Sequence, residues 1–359
     1  MDPNKYTDEF FKQYEEKYIP RTDKNTSSIA KHSVKKNKFT FKKLVISSVA
    51  VLSVAILVIT GVGLIQKLQP VTVQPENNVV ESVPDEPQIE LFKPTENGNT
   101  VYNFDKMDSE YAIIVDIDSG NVIYEKNPDT KIYPASLTKV LTLLVAVENI
   151  SDLNDTFTMS YEITDPHFKE GASMAGFTDG EVIPLTDLLY GLILPSGAEC
   201  ATAIANYVAG SEAGFAVLMN KKAEQLGITT SHFCNPSGLH NDEQYCTVRD
   251  MVIILKAAIE NKLCKEILST YQYTTTSTNK HPEGILLTST LFSRMYGTEP
   301  KNGAVIKGGK TGFTNEAGNC IASFGEATDG TNYIMVTTKA KGFWKSVFDH
   351  IEGYEQFAN

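Results

Sequence analysis

The longest apolar run of the chain lies near its N-terminus. Residues 44–65 contain no charged side chain, and a helix of this length, at about 1.5 Å per residue, reaches across a hydrocarbon core of about 30 Å. Six lysines and no acid occupy residues 31–43, which predicts that the N-terminal end stays in the cytoplasm. A cleaved signal peptide would have a shorter apolar region and a small-residue cleavage site. The pattern therefore favours an uncleaved, single-pass signal anchor at 44–66.

The residues on either side of this span differ in composition. Residues 1–43 form a polar, basic tail that is predicted to be cytoplasmic. Residues 67–101 are rich in proline and acids, which predicts an extended spacer. Alternating and helical patterns then continue from residue 102 to residue 359, and this length suits one folded domain. The orientation of the anchor would place that domain outside the cytoplasm.

Within residues 102–359, the pattern predicts strands at both ends and helices between them. Alternating runs on both sides of an Asp-Ser-Gly-Asn turn indicate a β-hairpin, and an apolar helix follows. Strands are predicted at 111–117, 122–125, 303–307, 319–324 and 333–339, and helices at 133–148, 185–194, 199–208, 212–226, 247–261 and 343–357. This order predicts an α+β fold in which both chain ends form one antiparallel sheet beside a central helical cluster.

Composition argues against several classes of function. Residues 101–359 carry 19 Lys and Arg against 32 Asp and Glu, and an acidic domain argues against nucleic acid as a partner. The five cysteines include no C-x-x-C pair, which favours small buried thiols. Two disulfide bridges with one spare thiol are the alternative. The histidines show no paired ligand spacing, so neither a metal nor another cofactor is predicted.

Candidate chemistry begins in the helix at 133–148. Ser136 and Lys139 are three residues apart near its start, so their side chains share one helical face. A serine hydroxyl needs a base to become a good nucleophile, and a lysine desolvated by apolar neighbours can titrate low enough to serve as that base. Ser136-x-x-Lys139 is therefore a candidate catalytic pair, although this motif alone is a weak signal.

Two later stretches carry further polar chemistry. One is LPSGAE at 194–199, and the other is KGGKTGFT at 307–314. The second stretch invites comparison with a phosphate-binding loop, but Ala304 occupies the position of that loop's first glycine and no helix pattern follows. Nucleotide binding is therefore not predicted.

Taken together, S-x-x-K, a Ser-Gly-x turn and K-T-G, in this order, resemble the D-alanyl-D-alanine carboxypeptidases, which are low-molecular-mass penicillin-binding proteins. Four longer phrases are similar to the same family: LTDLLYGLILPSG at 185–197, FCNPSGLH at 233–240, YCTVRDM at 245–251 and KGGKTGFTNEAGNC at 307–320. The resemblance runs from about Asn103 to the C-terminus. It implies a penicillin-binding, β-lactamase-like transpeptidase fold.

The resemblance also implies an activity and a place in the cell. The substrate would be a peptidoglycan stem peptide ending in D-Ala-D-Ala, and β-lactam antibiotics would be covalent inhibitors. The protein would lie in a bacterial cell membrane through residues 44–66, with its catalytic domain outside the cell. Many members of the family carry a further β-rich domain and an amphipathic anchor, and the N-terminal span is expected to replace that anchor here.

Each site residue acquires an expected role from the same resemblance. Ser136 would attack the carbonyl between the two D-alanines, Lys139 would accept its proton, and Ser196 would pass a proton to the leaving amine. The backbone N–H groups of Ser136 and Phe313 would stabilise the oxyanion. The residues expected to bind substrate lie on the K-T-G strand: Lys310, Thr311, Gly312 and Phe313.

One position departs from the family pattern. The second motif usually ends in Asn, whose side chain orients the lysine and the substrate, but this chain has Ala198. A lost hydrogen bond to a charged group costs about 1.5–3 kcal/mol, or roughly 10- to 100-fold in rate. Glu199 either compensates or caps the helix. The alternative reading is therefore a catalytically weak or inactive wall-binding protein. A β-lactamase lacks support because the chain has no E-x-x-L-N loop.

Overall fold

The computed structural model describes residues 91–358. The predicted basic tail, the predicted anchor at 44–66 and most of the predicted linker lie outside the described residues. Within residues 91–358, no helix is both long enough and apolar enough to cross a membrane. The described part begins near the end of the predicted linker, where Thr95 pairs with Asn121 and Val101 pairs with Tyr124.

The described chain alternates between strands and helices after an initial hairpin. The strands are β1 (Tyr111–Asp116), β2 (Val122–Lys126), β3 (Thr156–Thr158), β4 (Val182–Pro184), β5 (Gln272–Thr274), β6 (Leu286–Thr288), β7 (Val305–Thr314), β8 (Gly318–Glu326) and β9 (Asn332–Ala340). The α-helices are α1 (Thr138–Asn149), α2 (Tyr161–Lys169), α3 (Leu185–Ile193), α4 (Ala198–Ala209), α5 (Glu212–Gln225), α6 (Val248–Glu260), α7 (Lys262–Ser269), α8 (Thr290–Met295) and α9 (Phe343–Phe357).

Five strands form one antiparallel sheet in the order β2-β1-β9-β8-β7. The pairing of β1 with β9 places Ile113 opposite Val336 and joins the two ends of the domain. The predicted α+β arrangement, with one sheet from both chain ends and helices between them, is therefore confirmed. The sheet ends at β7, the strand that carries the K-T-G motif.

The two faces of the sheet pack against different helices. Because side chains alternate along a strand, Ile113 and Val336 belong to a large core that contains the apolar face of α1, whereas Ile114 and Met335 pack with Tyr354 of α9. Helix α1 is buried through most of its length. Its buried position fixes the residues at its N-terminal end, and those residues include Ser136 and Lys139.

Several elements differ from the sequence predictions for physical reasons. Strand β7 continues to Thr314, beyond the predicted end at residue 307, because its glycines weaken the strand pattern without preventing pairing with β8. Helix α2 contains Pro166, a residue that normally argues against a helix interior. Strands β3 to β6 have three residues each, which is too short for a clear alternation.

The five cysteines are free thiols, and four of them are buried. Burial of four of the five thiols agrees with the expected small buried thiols.

Candidate active site

Ser136 lies in a single 3₁₀ turn, Ala135–Leu137, that leads directly into α1. A second segment, which contains Gly238, packs tightly against this turn. A Cβ atom at position 238 would lie 1.9 Å from the carbonyl oxygen of Ala135 and 3.0 Å from the backbone nitrogen of Ser136. Gly238 also has φ +79°, a conformation that favours glycine. The 235–238 turn therefore supports the backbone that presents Ser136.

Lys139 is directly beside the Ser136 hydroxyl. Its Nζ lies 3.0 Å from Ser136 Oγ and donates a 2.5 Å hydrogen bond to the carbonyl oxygen of Ser237. The lysine side chain is only 2% exposed, and burial lowers its pKa to about 8, against the opposing effect of Glu199. Lys139 therefore loses its proton more readily than an ordinary lysine, as a base for Ser136 must.

Ser196 occupies the turn between α3 and α4. Its φ of +69° is unusual for a residue other than glycine. The Ser196 hydroxyl is buried and has no hydrogen-bond partner among the described residues. A buried hydroxyl without a partner is costly, so this oxygen remains available to a substrate or to water in the adjoining cleft.

The K-T-G motif lies on β7, alongside the Ser136 turn. Lys310 is 1% exposed, and its Nζ donates to the carbonyl oxygen of Thr311 at 2.8 Å. Burial, and then the charges of Lys139 and Arg294, hold the pKa of Lys310 well below its usual value. The hydroxyl of Thr311 lies 2.7 Å from that of Thr290. These groups make the middle of β7 polar.

Gly312 and Phe313 follow on the same strand. A Cβ atom at position 312 would lie 3.1 Å from the backbone nitrogen of Ser136, so β7 passes directly beside the nucleophile's N–H. The side chain of Phe313 is 56% exposed and stands at the rim of the cleft. The β7 backbone therefore lies beside that of Ser136, and Phe313 lines the same cleft.

The three motifs meet in one cleft of about 790 Å³. Six of the seven residues predicted from the sequence line it: Ser136, Lys139, Ser196, Thr311, Gly312 and Phe313. Lys310 does not line the cleft and lies buried next to Thr311. Fold contacts thus bring together residues that are far apart in sequence. Within residues 91–358, no group of three or more His, Cys, Asp or Glu side chains is arranged to hold a metal ion.

Arg294 is a cleft residue that the sequence did not predict. It lies in the last turn of α8. Its guanidinium is 4.3 Å from the centre of the Phe343 ring, and both residues line the cleft. Burial lowers its pKa to about 10. No hydrogen bond or ion pair joins Arg294 to an acidic side chain of the described residues. No local motif marks this arginine, because it becomes adjacent to the K-T-G strand only in the fold.

Ala198 and Glu199 begin α4. The N–H of Ala198 donates to the carbonyl oxygen of Ser173 at 2.8 Å. Glu199 is fully buried, and its Oε1 accepts hydrogen bonds from the N–H groups of Ala175 and Gly176 at 2.6 and 3.0 Å. The carboxylate thus binds the loop after α2, which is more than the helix-capping role expected as one alternative.

Comparison with known proteins agrees with the motifs. A protein-family model described as D-alanyl-D-alanine carboxypeptidase matches residues 97–342. The chain is 29% identical over 217 residues to the D-alanyl-D-alanine carboxypeptidase DacF of Bacillus subtilis, covering 60% of this chain and 54% of the relative. It is 33% identical over 233 residues to DacA of Escherichia coli, covering 63% and 54%. The chain thus spans about half the length of these curated relatives.

Solved structures show the same fold. The crystal structure of the Streptomyces K15 DD-transpeptidase aligns with a TM-score of 0.61 at 25% identity, covering 70% of this chain and 97% of that one. The D-alanyl-D-alanine carboxypeptidase of Mycobacterium tuberculosis aligns with a TM-score of 0.60 at 27% identity, covering 70% and 92%. These likenesses confirm the predicted transpeptidase fold of penicillin-binding proteins.

Proposed function

Because the chain belongs to the D-alanyl-D-alanine carboxypeptidase family, we propose that it removes the terminal D-alanine from peptidoglycan stem peptides through an acyl-enzyme on Ser136. The observation that carries this proposal is the 3.0 Å separation between Ser136 Oγ and the Nζ of buried Lys139. This pair lies in a cleft that also contains Ser196 and the K-T-G strand.

In the first half of the reaction, neutral Lys139 accepts the hydroxyl proton of Ser136. The oxygen attacks the carbonyl carbon between the two D-alanines, and the carbonyl electron pair moves onto its oxygen. The N–H groups of Ser136 and Phe313 stabilise that oxyanion. When the carbonyl re-forms and the C–N bond breaks, Ser196 gives its hydroxyl proton to the leaving amine and takes the proton that Lys139 holds, and D-alanine departs.

In the second half, water attacks the ester carbonyl of the acyl-enzyme. Lys139, neutral again after the leaving amine has taken its proton, accepts a proton from this water and returns it to Ser136 Oγ as the ester bond breaks. The products are the shortened peptide and the free enzyme. A β-lactam would form the same kind of ester with Ser136, so we propose that β-lactams inhibit the protein covalently.

The terminal carboxylate of the substrate fits the positive part of the cleft. Arg294 and Thr311 line the cleft there, and Lys310 lies just behind Thr311. An arginine with no acidic partner among the described residues is available to a carboxylate from outside. The carboxypeptidase activity, which requires a free C-terminus, is the activity that this charge favours.

We further propose that residues 44–66 anchor the chain in the bacterial membrane, with residues 1–43 in the cytoplasm and the catalytic domain outside. The long uncharged run and the lysines ahead of it support this orientation. Resistance of the full-length chain to alkaline extraction from membranes, lost when residues 44–66 are deleted, is the expected result. Release of the intact chain by alkali would refute the anchor.

The enzymatic proposal is tested by incubating the purified full-length chain with a peptide that ends in D-Ala-D-Ala and measuring free D-alanine. We expect release by the wild-type chain and none above background by Ser136→Ala. Covalent labelling by penicillin without D-alanine release would instead favour the weak or inactive wall-binding protein. No release and no labelling would refute the enzymatic proposal.

A further inference from the structure

Glu199 carries an unusual oxygen atom. Its Oε1 accepts two backbone hydrogen bonds, but its Oε2 is buried without a partner among the described residues. An unsatisfied buried carboxylate oxygen costs free energy. This atom lies in the first turn of α4, and the preceding residue, Ala198, lines the cleft. An unpaired oxygen at this position indicates a role of Glu199 beyond helix stability.

One part of that role is mechanical. The loop after α2 contributes Ala172 and Ser173 to the wall of the cleft. Immediately after these residues, the N–H groups of Ala175 and Gly176 donate to Glu199, while the N–H of Ala198 donates to Ser173. The first turn of α4 is therefore hydrogen-bonded to the loop that forms this wall and holds the loop in place.

The other part is electrostatic. Lys139 and Glu199 are both buried, and each acts on the other: the carboxylate raises the pKa of Lys139 against the larger lowering effect of burial. Burial raises the pKa of Glu199 above its usual value, and the N–H groups of Gly176 and Ala175, and then Lys139, oppose that rise. Ala198 offers Lys139 no polar side-chain group where the family usually has an amide. The residue that directly follows Ala198 in the sequence is Glu199, which carries a carboxyl group.

The other titratable groups that act on Lys139, or respond to it, lie on α4, α2 and β7. Burial raises the pKa of the Cys200 thiol well above its usual value and lowers that of His167, so both are neutral at mildly alkaline pH. Burial, and then the charges of Lys139 and Arg294, hold the pKa of the neighbouring Lys310 well below its usual value, and Ser237 contributes a carbonyl oxygen. Glu199 is therefore the carboxyl of this group that acts on Lys139.

We propose that Glu199 is a positioning residue of the acyl-transfer site: its carboxylate holds the wall formed by Ala172 and Ser173, and it acts on Lys139 from the first turn of α4. The inference rests on the proposed function, because it assigns Glu199 a part in the acylation of Ser136. In this way Glu199 supports Lys139 in a site whose second motif ends in Ala198.

Two substitutions separate the two parts of this role. Glu199→Gln keeps an acceptor oxygen for Ala175 and Gly176 but removes the charge. Glu199→Asp keeps the charge but withdraws it from the loop by one methylene group. Asp349→Asn is a matched control, because Asp349 is also a buried carboxylate that accepts backbone N–H bonds, and it lies in α9 on the opposite face of the sheet.

The measurement is the second-order rate constant for acylation of the full-length chain by benzylpenicillin, from pH 5 to pH 10. Acylation requires neutral Lys139, so the rate falls as the pH drops below the pKa of this lysine. This falling part of the pH profile is its acid limb. For Glu199→Gln we expect this acid limb to move to lower pH by about one unit, because an opposing charge has been removed. For Glu199→Asp we expect the limb to stay and the maximum rate to fall about 10- to 100-fold. Asp349→Asn should leave the limb in place.

A purely structural Glu199 would give a lower maximum rate in Glu199→Gln with an unmoved acid limb, and that result would overturn the proposal. If Glu199→Gln does not fold, Glu199→Asn is compared with Glu199→Asp, which has the same length but keeps the charge: a limb at lower pH in Glu199→Asn supports the proposal, and equal limbs in the two variants overturn it. Absence of acylation in the wild-type chain would be a different failure, since it would refute the proposed function itself.

Discussion

Gly238 lies so close to Ala135 that a Cβ atom at position 238 would stand 1.9 Å from the Ala135 carbonyl oxygen. Because Ala135 immediately precedes Ser136, this contact fixes the backbone position of the nucleophile at the cleft. The FCNPSGLH phrase at 233–240 thus contributes to the site in two ways. Gly238 supports the nucleophile's backbone, and the carbonyl of Ser237 accepts a hydrogen bond from Lys139.

Gly238→Ala is predicted to damage the site more than the fold. The added methyl group must displace the Ala135–Ser136 backbone, so we expect a loss of about 1–3 kcal/mol in unfolding free energy and about a 100-fold loss in acylation rate. Gly210→Ala is the control, because Gly210 also has a positive φ, +71°, but an added Cβ would meet nothing within 4 Å. Thermal unfolding and penicillin acylation measure the two effects. Equal acylation rates in both variants would contradict the supporting role of Gly238.

The acylation rate is predicted to depend on pH through Lys139. Burial lowers the pKa of this lysine to about 8, and only its neutral form accepts the Ser136 proton. The rate should therefore be highest above pH 8 and fall about tenfold for each unit below it. Stopped-flow acylation of the full-length chain, followed by a chromogenic β-lactam, gives this profile. A profile with no inflection between pH 6 and pH 10 would argue against Lys139 as the base.

Much of this site could be predicted from sequence because three of its parts are local motifs. Ser136 and Lys139 share a helical face by spacing alone, and the apolar residues of α1 predict its burial. The pairing of both chain ends in one sheet also follows from the order of strands and helices. These predictions needed only the periodicity of the chain and the resemblance carried by its motifs.

The contributions of Arg294 and Glu199 could not be predicted in the same way. Arg294 belongs to the short helix α8, which has no distinct periodicity, and it reaches the K-T-G strand only through tertiary packing. The partners of Glu199 are backbone N–H groups of a loop, and backbone groups leave no trace in a sequence pattern. Helix α2, which precedes that loop, was not predicted from the sequence because it contains Pro166.

Arg294 is predicted to select substrates with a free C-terminal carboxylate. Arg294→Gln removes a cleft cation that has no acidic partner among residues 91–358, so kcat/KM for a peptide ending in a free D-Ala-D-Ala should fall about 10- to 100-fold. The same peptide with a C-terminal amide should lose much less, so the ratio of the two rates is the informative quantity. Arg249→Gln is a suitable control, because Arg249 pairs with Glu125 and Asp129 outside the cleft. An unchanged acid-to-amide ratio in Arg294→Gln would rule out this role.

His350 is predicted to make the stability of the domain sensitive to mild acid. Its ring is fully buried between Ser323 and Thr337, with Nδ1 and Nε2 at 2.8 and 3.0 Å from their hydroxyl oxygens. Burial lowers its pKa from 6.5 to about 3. Between these values the unfolded chain binds the extra proton, so His350 contributes fully to stability above about pH 6.5, and its contribution declines as the pH falls towards 3.

Thermal unfolding of the wild-type chain and of His350→Gln, measured from pH 7.5 to pH 4.5, checks this dependence. We expect the variant to be less stable at pH 7.5 and to lose less stability on acidification. His232→Gln, at an exposed histidine, should follow the wild-type curve. Parallel curves for the wild-type chain and His350→Gln would show that His350 does not cause the acid sensitivity.

Whether Ser136 is an acylating nucleophile is decided by the mass of the intact chain after reaction with benzylpenicillin. We expect one covalent adduct per wild-type chain, located by peptide mapping to the peptide that contains Ser136, and no adduct in Ser136→Ala. A wild-type chain that gains no mass, or an adduct that persists in Ser136→Ala, would show that Ser136 is not the nucleophile.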